Sequence, residues 1–535
     1  SNFDIKGKMI KSSESRFHQR SVVSSFIFSD GDEPKVALFR RSAKVKTYQH
    51  QLAPISGSIE HHETPEEAAW RELKEETTLT PRDVALWRQG KPYSFSDPSI
   101  HRIWNIFPFL FRLKPCHEGG RGEEGVRIDW EHDSWQWYNP ELLNDNELFG
   151  GVPRLKESLQ RVWFEMHLSY GASKVLRAGL EQLKADHQSG SHELTSIALK
   201  VFQDVISQIQ GPIGTDWWES ARMVAWHLWK NGRESMGAAT LNALLGLLAK
   251  MEDTVHQDLS REIKWKYLLG VLGDHMNKRK QMPTRIEQSF GAYLQSNFMS
   301  TMKSNSTRPL TILTLSGSST IRDSIIGAFA SLPIPQLDLR VLESRPLCEG
   351  VKMASSMLST FKARFPSSSG RNVNLKIYTD ASAALASKGV DFVLLGADQI
   401  SDSGSISNKI GSLPAVLSAK HVCSGVKVLI LSELEKVAEL GVENGHVHEE
   451  NNPSELIGCW MDCGIEGIGA LVEDIGATDQ GTATYAVKVK NVYFEWVPPE
   501  LIDAYICEEG TLDVAAIQNK AQQVKQNSEK YFGEL

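Results

Sequence analysis

Over the first third of the chain, apolar and polar positions alternate in short runs. Val22–Phe28, Val36–Phe39, Ile103–Phe111 and Ser134–Tyr138 read as strands, and Pro65–Thr77 as a helix. The stretch from Pro115 to Gly120 reads as an exposed hairpin or loop. From about residue 192 to 300 the apolar spacing is helical, as in Ala239, Leu241, Leu244, Leu245 and Leu248. From about 308 it changes again. Apolar runs at Leu310–Leu315, Leu339–Leu342, Leu375–Tyr378, Phe392–Leu395 and Val426–Leu431 alternate with helical stretches, the pattern of a parallel sheet covered on both faces. The expected organisation is an N-terminal extension (1–17), an α+β domain (18–168), a polar, helix-compatible linker (169–191), a helical part (192–303) and an α/β part (304–535). There is no internal repeat and no low-complexity tract.

Composition narrows the class without supplying a function. The chain has 535 residues, enough for two to four domains, and a formal net charge of -8, which does not advertise nucleic-acid binding. Six cysteines are too few for a secreted disulfide framework. No apolar run is long enough to span a membrane, and the first residues lack the apolar core of a signal peptide. The expectation is a cytoplasmic protein with no membrane contact and no direct nucleic-acid binding.

The most informative stretch runs from Gly57 to Leu79. Thr64 suits an N-cap, Pro65 the first helical position, and Glu67 completes a capping box. On that helix Glu72, Glu75 and Glu76 share one face, and their mutual repulsion calls for a cation. Arg71 stands four residues before Glu75 and can brace it. A solvated acidic face is the bland alternative. The full pattern decides between them. Gly57, Glu63, Arg71-Glu72, Leu73, Glu75-Glu76 and Leu79 at their spacings resemble the Nudix box, with Thr78 where the family usually has Gly. A Gly there normally ends the helix in a left-handed conformation, so Thr78 carries strain or alters the loop. The flanks Val36–Ser42, Leu52–Gly57 and Glu131–Trp137 resemble the segments around that box.

The Nudix resemblance, over roughly residues 18–165, implies an α+β Nudix sandwich that hydrolyses a nucleoside diphosphate linked to another group. It implies Mg²⁺ or Mn²⁺ as cofactor, held by Glu72, Glu75 and Glu76 with Glu63 next by its box position. Glu131 is a candidate extra ligand or general base, with a surface acid as its alternative. Arg40 and Arg41 could meet phosphates, though a basic pair leaving a strand is more often exposed.

The second constellation sits on the later apolar runs. Leu310–Leu315 leads into Ser316-Gly317-Ser318 and a helix start, Val393–Leu395 into Gly396-Ala397-Asp398, and Asn408-Lys409-Ile410-Gly411 follows. Ligands of open α/β sheets sit at such strand ends, and helix starts favour anions. Together with Glu343-Ser344-Arg345-Pro346, Glu349-Gly350 and Tyr493 to Asp503, these segments resemble one family. It holds the regulatory alpha, beta and delta subunits of translation initiation factor 2B and the isomerases of methylthioribose-1-phosphate and ribose-1,5-bisphosphate.

That second resemblance covers roughly 195–525. It implies a helical subdomain followed by a doubly wound, Rossmann-like parallel sheet, a homodimer through this region, and a sugar-phosphate or nucleotide ligand at Ser316, Gly317, Ser318, Arg345, Asp398, Asn408 and Lys409. Asp398 matches the isomerases' catalytic Asp. Their catalytic Cys falls on Ser316, whose hydroxyl is a much poorer proton carrier. Cys348 nearby could substitute, but a small buried residue is its plainer reading. Cys459 and Cys463 have the wrong spacing for zinc, and His446 and His448 read as an exposed loop.

Three whole-protein readings stay open at this point. One is a Nudix pyrophosphohydrolase of a nucleoside-diphosphate-linked or ribose-pyrophosphate substrate fused to a sugar-phosphate-binding domain. The second is an initiation-factor-2B-related interaction protein that binds initiation-factor subunits and carries an accessory Nudix module. The third is a bifunctional hydrolase and aldose–ketose isomerase.

Overall fold

The structure is a computed structural model describing residues 18–303, 306–441, 450–479 and 481–535. The extension 1–17, and His446 and His448, lie outside the described residues.

The first sheet has eight strands. Its main order is Leu52–Ala53, Val36–Arg41, His18–Phe28, Arg102–Leu113 and Val84–Gln89, with Ile55–Ser58, Tyr93–Asp97 and His132–Tyr138 pairing from the sides. The two long central strands run parallel to each other and the remaining pairs are antiparallel. Alternation along the strands divides the core in two. Val23, Ile27 and Phe39 pack with Ala68, Ala69 and Leu73 of helix Pro65–Thr77. Phe26, Phe28 and Leu38 pack on the opposite face with Leu155, Leu159 and Val162 of helix Leu155–Val162. The acidic helix is thus fixed by its apolar stripe, which leaves its carboxylates to face outward or toward the sheet edge.

Residues 169–191 do not hang free as a spacer. They form helix Tyr170–Ala185, and Leu176, Leu180 and Leu183 enter the core shared by helices Ser191–Gln208, Thr215–Lys230, Gly237–His256 and Arg261–Asn297. The last helix, Val514–Phe532, returns to the same core through Val524, Tyr531 and Phe532.

This helical unit also caps the edge of the first sheet. Val84–Gln89 is an edge strand. Lys184 donates to the carbonyls of Leu86 and Trp87 (2.7 and 3.3 Å), and Asn231 accepts from Gln89 N (2.7 Å) while donating to Gln89 O (2.9 Å). Beside them Arg88 and Glu165 pair at 2.8 Å, both almost fully buried. Asn231 is oriented by His227, whose Nδ1 lies 2.9 Å from the amide nitrogen and accepts from it. His227 is fully buried, and burial pushes its pKa down to about 3. The unfolded chain binds this proton below about 6.5 and the folded one does not. Its contribution to stability is therefore complete above pH 6.5 and is lost as pH falls from there toward about 3. Removing Asn231's side chain leaves buried backbone groups of Gln89 unpaired. Asn231→Ala is expected to cost about 1–3 kcal/mol in denaturant unfolding.

The second sheet runs in the order Asn372–Tyr378, Gln336–Leu342, Leu310–Leu315, Phe392–Leu395, Lys427–Leu431, Ala504–Cys507 and Gly510–Leu512, parallel except for the last pair. Ile312, Leu339 and Leu394 face one core, and Leu313, Val393 and Ile430 the other. The first strand, Leu310–Leu315, lies in the middle with later strands added on both sides, which opens a crevice at the carboxyl ends of Leu310–Leu315 and Phe392–Leu395. Asn408 and Lys409 end a separate three-stranded sheet made of Gln399–Ile400, Ile406–Lys409 and Phe494–Val497.

Candidate functional site

Helix Pro65–Thr77 begins as expected, with Thr64 as N-cap and a complete capping box to Glu67. It ends on Thr78 in the left-handed region (φ 63°), the conformation for which Gly is usual. The cost is offset locally: Thr78 N–H donates to Lys74 O, and its hydroxyl donates to Gly125 O at 3.0 Å.

The box carboxylates do not converge equally. Arg71 takes Glu63 through two bonds of 2.8 and 3.0 Å, holds Glu72 at 2.7 Å, reaches Glu75 only at 3.4 Å and ties Ser58 O at 3.0 Å. Glu63 is therefore engaged by a guanidinium, which holds its carboxyl below the usual range, and acts as a brace. Glu75 is mostly exposed. Glu76, by contrast, is 3% exposed; among the described residues neither of its oxygens accepts a hydrogen bond, and the Glu72 carboxylate lies within hydrogen-bonding reach of it. The nearest donor, His132 Nε2, is 3.5 Å away. Burial pushes Glu76 well up, reinforced by the charges of Glu131, Glu72 and Asp129. Burial also raises Glu72 and Glu131. Glu72 lies against Gly57, where a Cβ would fall 1.9 Å from its carboxyl carbon.

Glu72, Glu76 and Glu131 therefore crowd one another with too little positive charge among them. Among the described residues no group of three or more acids, histidines or cysteines is placed so that it could hold a metal ion as it stands. The orphaned Glu76 oxygens and the acidic, oxygen-only surroundings nevertheless suit a hard divalent ion. A cavity of about 480 Å³ opens beside Glu72 and Glu131. Arg20, Arg41, Lys44, Lys46 and Arg102 line it together with Tyr48, Tyr93, Phe95, Trp104 and Trp130. Of the pair Arg40–Arg41, Arg41 reaches this cavity, while Arg40 donates to His50 O at 2.8 Å.

At the second sheet, Ser316 takes a left-handed turn (φ 69°) and its N–H donates to Ser344 Oγ at 2.7 Å. Gly317 lets Glu349 approach, since a Cβ there would lie 3.3 Å from Glu349 Cβ. Ser318 caps helix Ser319–Ser331. Gly396 lies between Ser318 and Asn408, so Ser318, Asn408 and the Asp398 turn share one locality. Asn408 donates to Ser412 Oγ at 2.9 Å. Lys409 is buried, 2.6 Å from Glu349 and over the Tyr493 ring. Burial raises Asp398, against the pull of Lys436, Arg233 and Lys409. Arg345 stands apart: its backbone N–H donates to Asp380, its side chain is half-exposed, and it donates to Cys459 Sγ at 3.1 Å. Burial pushes the Cys348 thiol up, the wrong direction for a proton carrier, and Cys463 is exposed.

The sequence profile described as Initiation factor 2 subunit family matches residues 187–514, well over half of the chain. The chain belongs to the initiation factor 2 subunit family. Ahead of that region, residues 18–162 match the NUDIX domain. The methylthioribose-1-phosphate isomerase of Pseudomonas savastanoi pv. phaseolicola is 26% identical over 172 residues, which are 32% of this chain and 40% of that protein. The Oryza sativa protein of the same name is 31% identical over 139 residues, covering 25% of this chain and 32% of that protein. The chain spans about two-fifths or less of the length of these two relatives. Among solved structures, the translation initiation factor eIF-2B from Pyrococcus horikoshii OT3 aligns with 64% of this chain and 98% of its own at 17% identity and a TM-score of 0.43.

Within this family member, sequence reasoning missed several site residues. Glu433 is fully buried, 3.0 Å from Lys436 and 3.4 Å from His192, and Lys436 helps hold it down to about 2. Lys436 and Glu433 both act on Asp398. No motif marks them, because helix Ser191–Gln208 and the loop after Lys427–Leu431 meet only in three dimensions. Glu349 stood inside a recognised segment, but its partnership with Lys409 depends on the small Gly317 turn.

Proposed function

We propose that this initiation factor 2 family member is a Mg²⁺- or Mn²⁺-dependent pyrophosphohydrolase, acting through its NUDIX domain on a nucleoside-diphosphate-linked or ribose-pyrophosphate substrate. The carrying observation is the buried Glu76, whose oxygens accept no hydrogen bond among the described residues, packed behind Glu72 and Glu131, which line a cavity that several cations and aromatic rings also line. The divalent ion, when bound by Glu72, Glu76 and Glu131, with Glu75 reaching in from the solvent side, would neutralise phosphate charge and make water more acidic. Arg71 orients Glu72 and Glu63, and Gly57 leaves room for the Glu72 carboxyl. Glu131, which lines the cavity and whose carboxyl burial raises, takes the proton of the attacking water. Arg41 and Lys44 hold the phosphate oxygens.

The C-terminal region, in this reading, binds a sugar phosphate or nucleotide at the Ser316–Ser318 turn, Asp398, Asn408 and Lys409, with Arg345 at its margin and without isomerase turnover, because Ser316 offers no acidic thiol. The first sheet, with a helix on each face, is then a Nudix sandwich, and the second sheet a doubly wound, Rossmann-like layer. A homodimer through this region is supported by helices Ser454–Asp462 and Ile468–Asp479, which bury only Ile475 and expose Met461 and Leu471, with Ile465 exposed between them. The same surface favours the second reading, an interaction protein that docks initiation-factor subunits. A Mg²⁺-dependent phosphate-release screen separates them. It covers nucleotide sugars, dinucleoside polyphosphates, nucleoside triphosphates and phosphoribosyl pyrophosphate. Turnover of at least one is expected. Inertness across the panel, with initiation-factor subunits recovered in pull-downs, favours the interaction protein.

A further inference from the structure

The NUDIX cavity has more positive charge than a pyrophosphate needs, and its extra charge lies far from the carboxylates. The register fixes the layout. Ser58 pairs with Val22, Arg20 with Trp104, and Trp104 with Phe95. Cross-strand partners share a face, so Arg20, Trp104 and Phe95 form one row of the cavity floor. Ser58 belongs to the strand beside Glu72, and Trp104 and Phe95 lie two and three strands away. At about 4.8 Å per strand, the aromatic end is roughly 10–15 Å from the acidic end.

At that far end the positive charge is not neutralised from within. Arg102 rests on the Trp104 ring, 5.3 Å from its centroid, and has no carboxylate partner among the described residues. The acid opposite it in the register, Asp97, is committed elsewhere: it accepts from Tyr48 OH at 2.7 Å and from Ser99 through two bonds of 2.6 and 3.0 Å. Tyr48 in turn accepts from Trp104 Nε1 at 3.1 Å, which locks this wall. Arg20 and Lys46 line the same cavity, as does Glu60, and neither cation has an ion-pair partner among the described residues. Three cations without ion-pair partners in one concave site favour an anion there.

We infer that the substrate carries a second phosphate, a phosphomonoester remote from its pyrophosphate, and that Arg20, Lys46 and Arg102 receive it. This rests on the reading that the pyrophosphate lies at Glu72, Glu76 and Glu131. The substrate class is a sugar or nucleoside phosphorylated at two separated positions. Arg102 and Lys46 are then specificity-determining residues: they distinguish such a compound from its dephosphorylated counterpart and do not touch the bond that breaks.

The test is calorimetric binding to the full chain in EDTA, so that nothing is hydrolysed. It uses two pairs that differ by one phosphomonoester, NADP⁺ against NAD⁺ and coenzyme A against dephospho-coenzyme A, with phosphoribosyl pyrophosphate as the smallest doubly phosphorylated probe. At least one phosphorylated member is expected to bind ten or more times tighter than its counterpart. Lys46→Glu, an exposed change that does not threaten folding, and Arg102→Gln are each expected to remove most of that advantage while leaving the dephosphorylated member within about twofold. Equal affinities within both pairs, an advantage unmoved by either variant, or no binding of any probe overturns the inference. A preserved preference with no hydrolysis of any probe once Mg²⁺ is added keeps the inference and rejects the hydrolase reading.

Discussion

Glu76→Gln is expected to lower pyrophosphate turnover by at least about a hundredfold, and Glu75→Gln by less than about tenfold. The box pattern treats these neighbours alike, but their surroundings differ. Glu76 is buried and its oxygens accept no hydrogen bond among the described residues, while Glu75 is mostly in solvent. Steady-state rates on whichever substrate the screen identifies check the ranking, and equal losses would contradict it. Stability should move the other way. In the folded protein Glu76 holds its proton above the usual carboxyl range, so the metal-free protein loses stability as pH rises from about 4.5 toward that raised value. Glu76→Gln removes the loss. The metal-free variant is therefore expected to melt above the wild type at neutral pH and to match it near pH 4, and scanning calorimetry reads the difference.

The second large effect belongs to a residue with no side chain. Gly57→Ala places a methyl 1.9 Å from the Glu72 carboxyl carbon, so the carboxylate must leave its position against Arg71. A displacement of about 1 Å in a reacting constellation costs on the order of a hundredfold in rate. Turnover is expected to fall by about that factor, with little change in the melting temperature because the flexible end of Glu72 moves rather than the core. Undiminished turnover in the alanine variant would mean that Glu72 has no positional role.

Legibility in the sequence followed the range of the forces involved. The capping box, the helix Pro65–Thr77 and the buried strands of the second sheet are encoded by neighbours three to four residues apart or by unbroken apolar runs, and all could be read directly. Val84–Gln89 and Tyr93–Asp97 could not, because their mixed polar sequences become strands only against Arg102–Leu113. The acidic face was visible, yet its division of labour was not. Arg71 turns toward Glu63 across the loop from Glu60, so Glu63 serves as a brace and Glu75, level with Glu76 by spacing, is left in solvent. Helix Tyr170–Ala185 looks polar enough for a linker because one side meets solvent, but its three leucines find partners in the helices that follow it. The Asp398 surroundings, drawn from His192, Arg233, Glu433 and Lys436, carry no local signature at all.

The central claim is that Glu72, Glu76 and Glu131 together hold a divalent cation. Titration of the full chain with Mn²⁺, followed by electron paramagnetic resonance of the free ion, addresses it without requiring a substrate. The wild type is expected to remove Mn²⁺ from solution saturably, and Glu76→Gln to bind it at least tenfold more weakly. Identical titration curves for the two proteins would contradict the account.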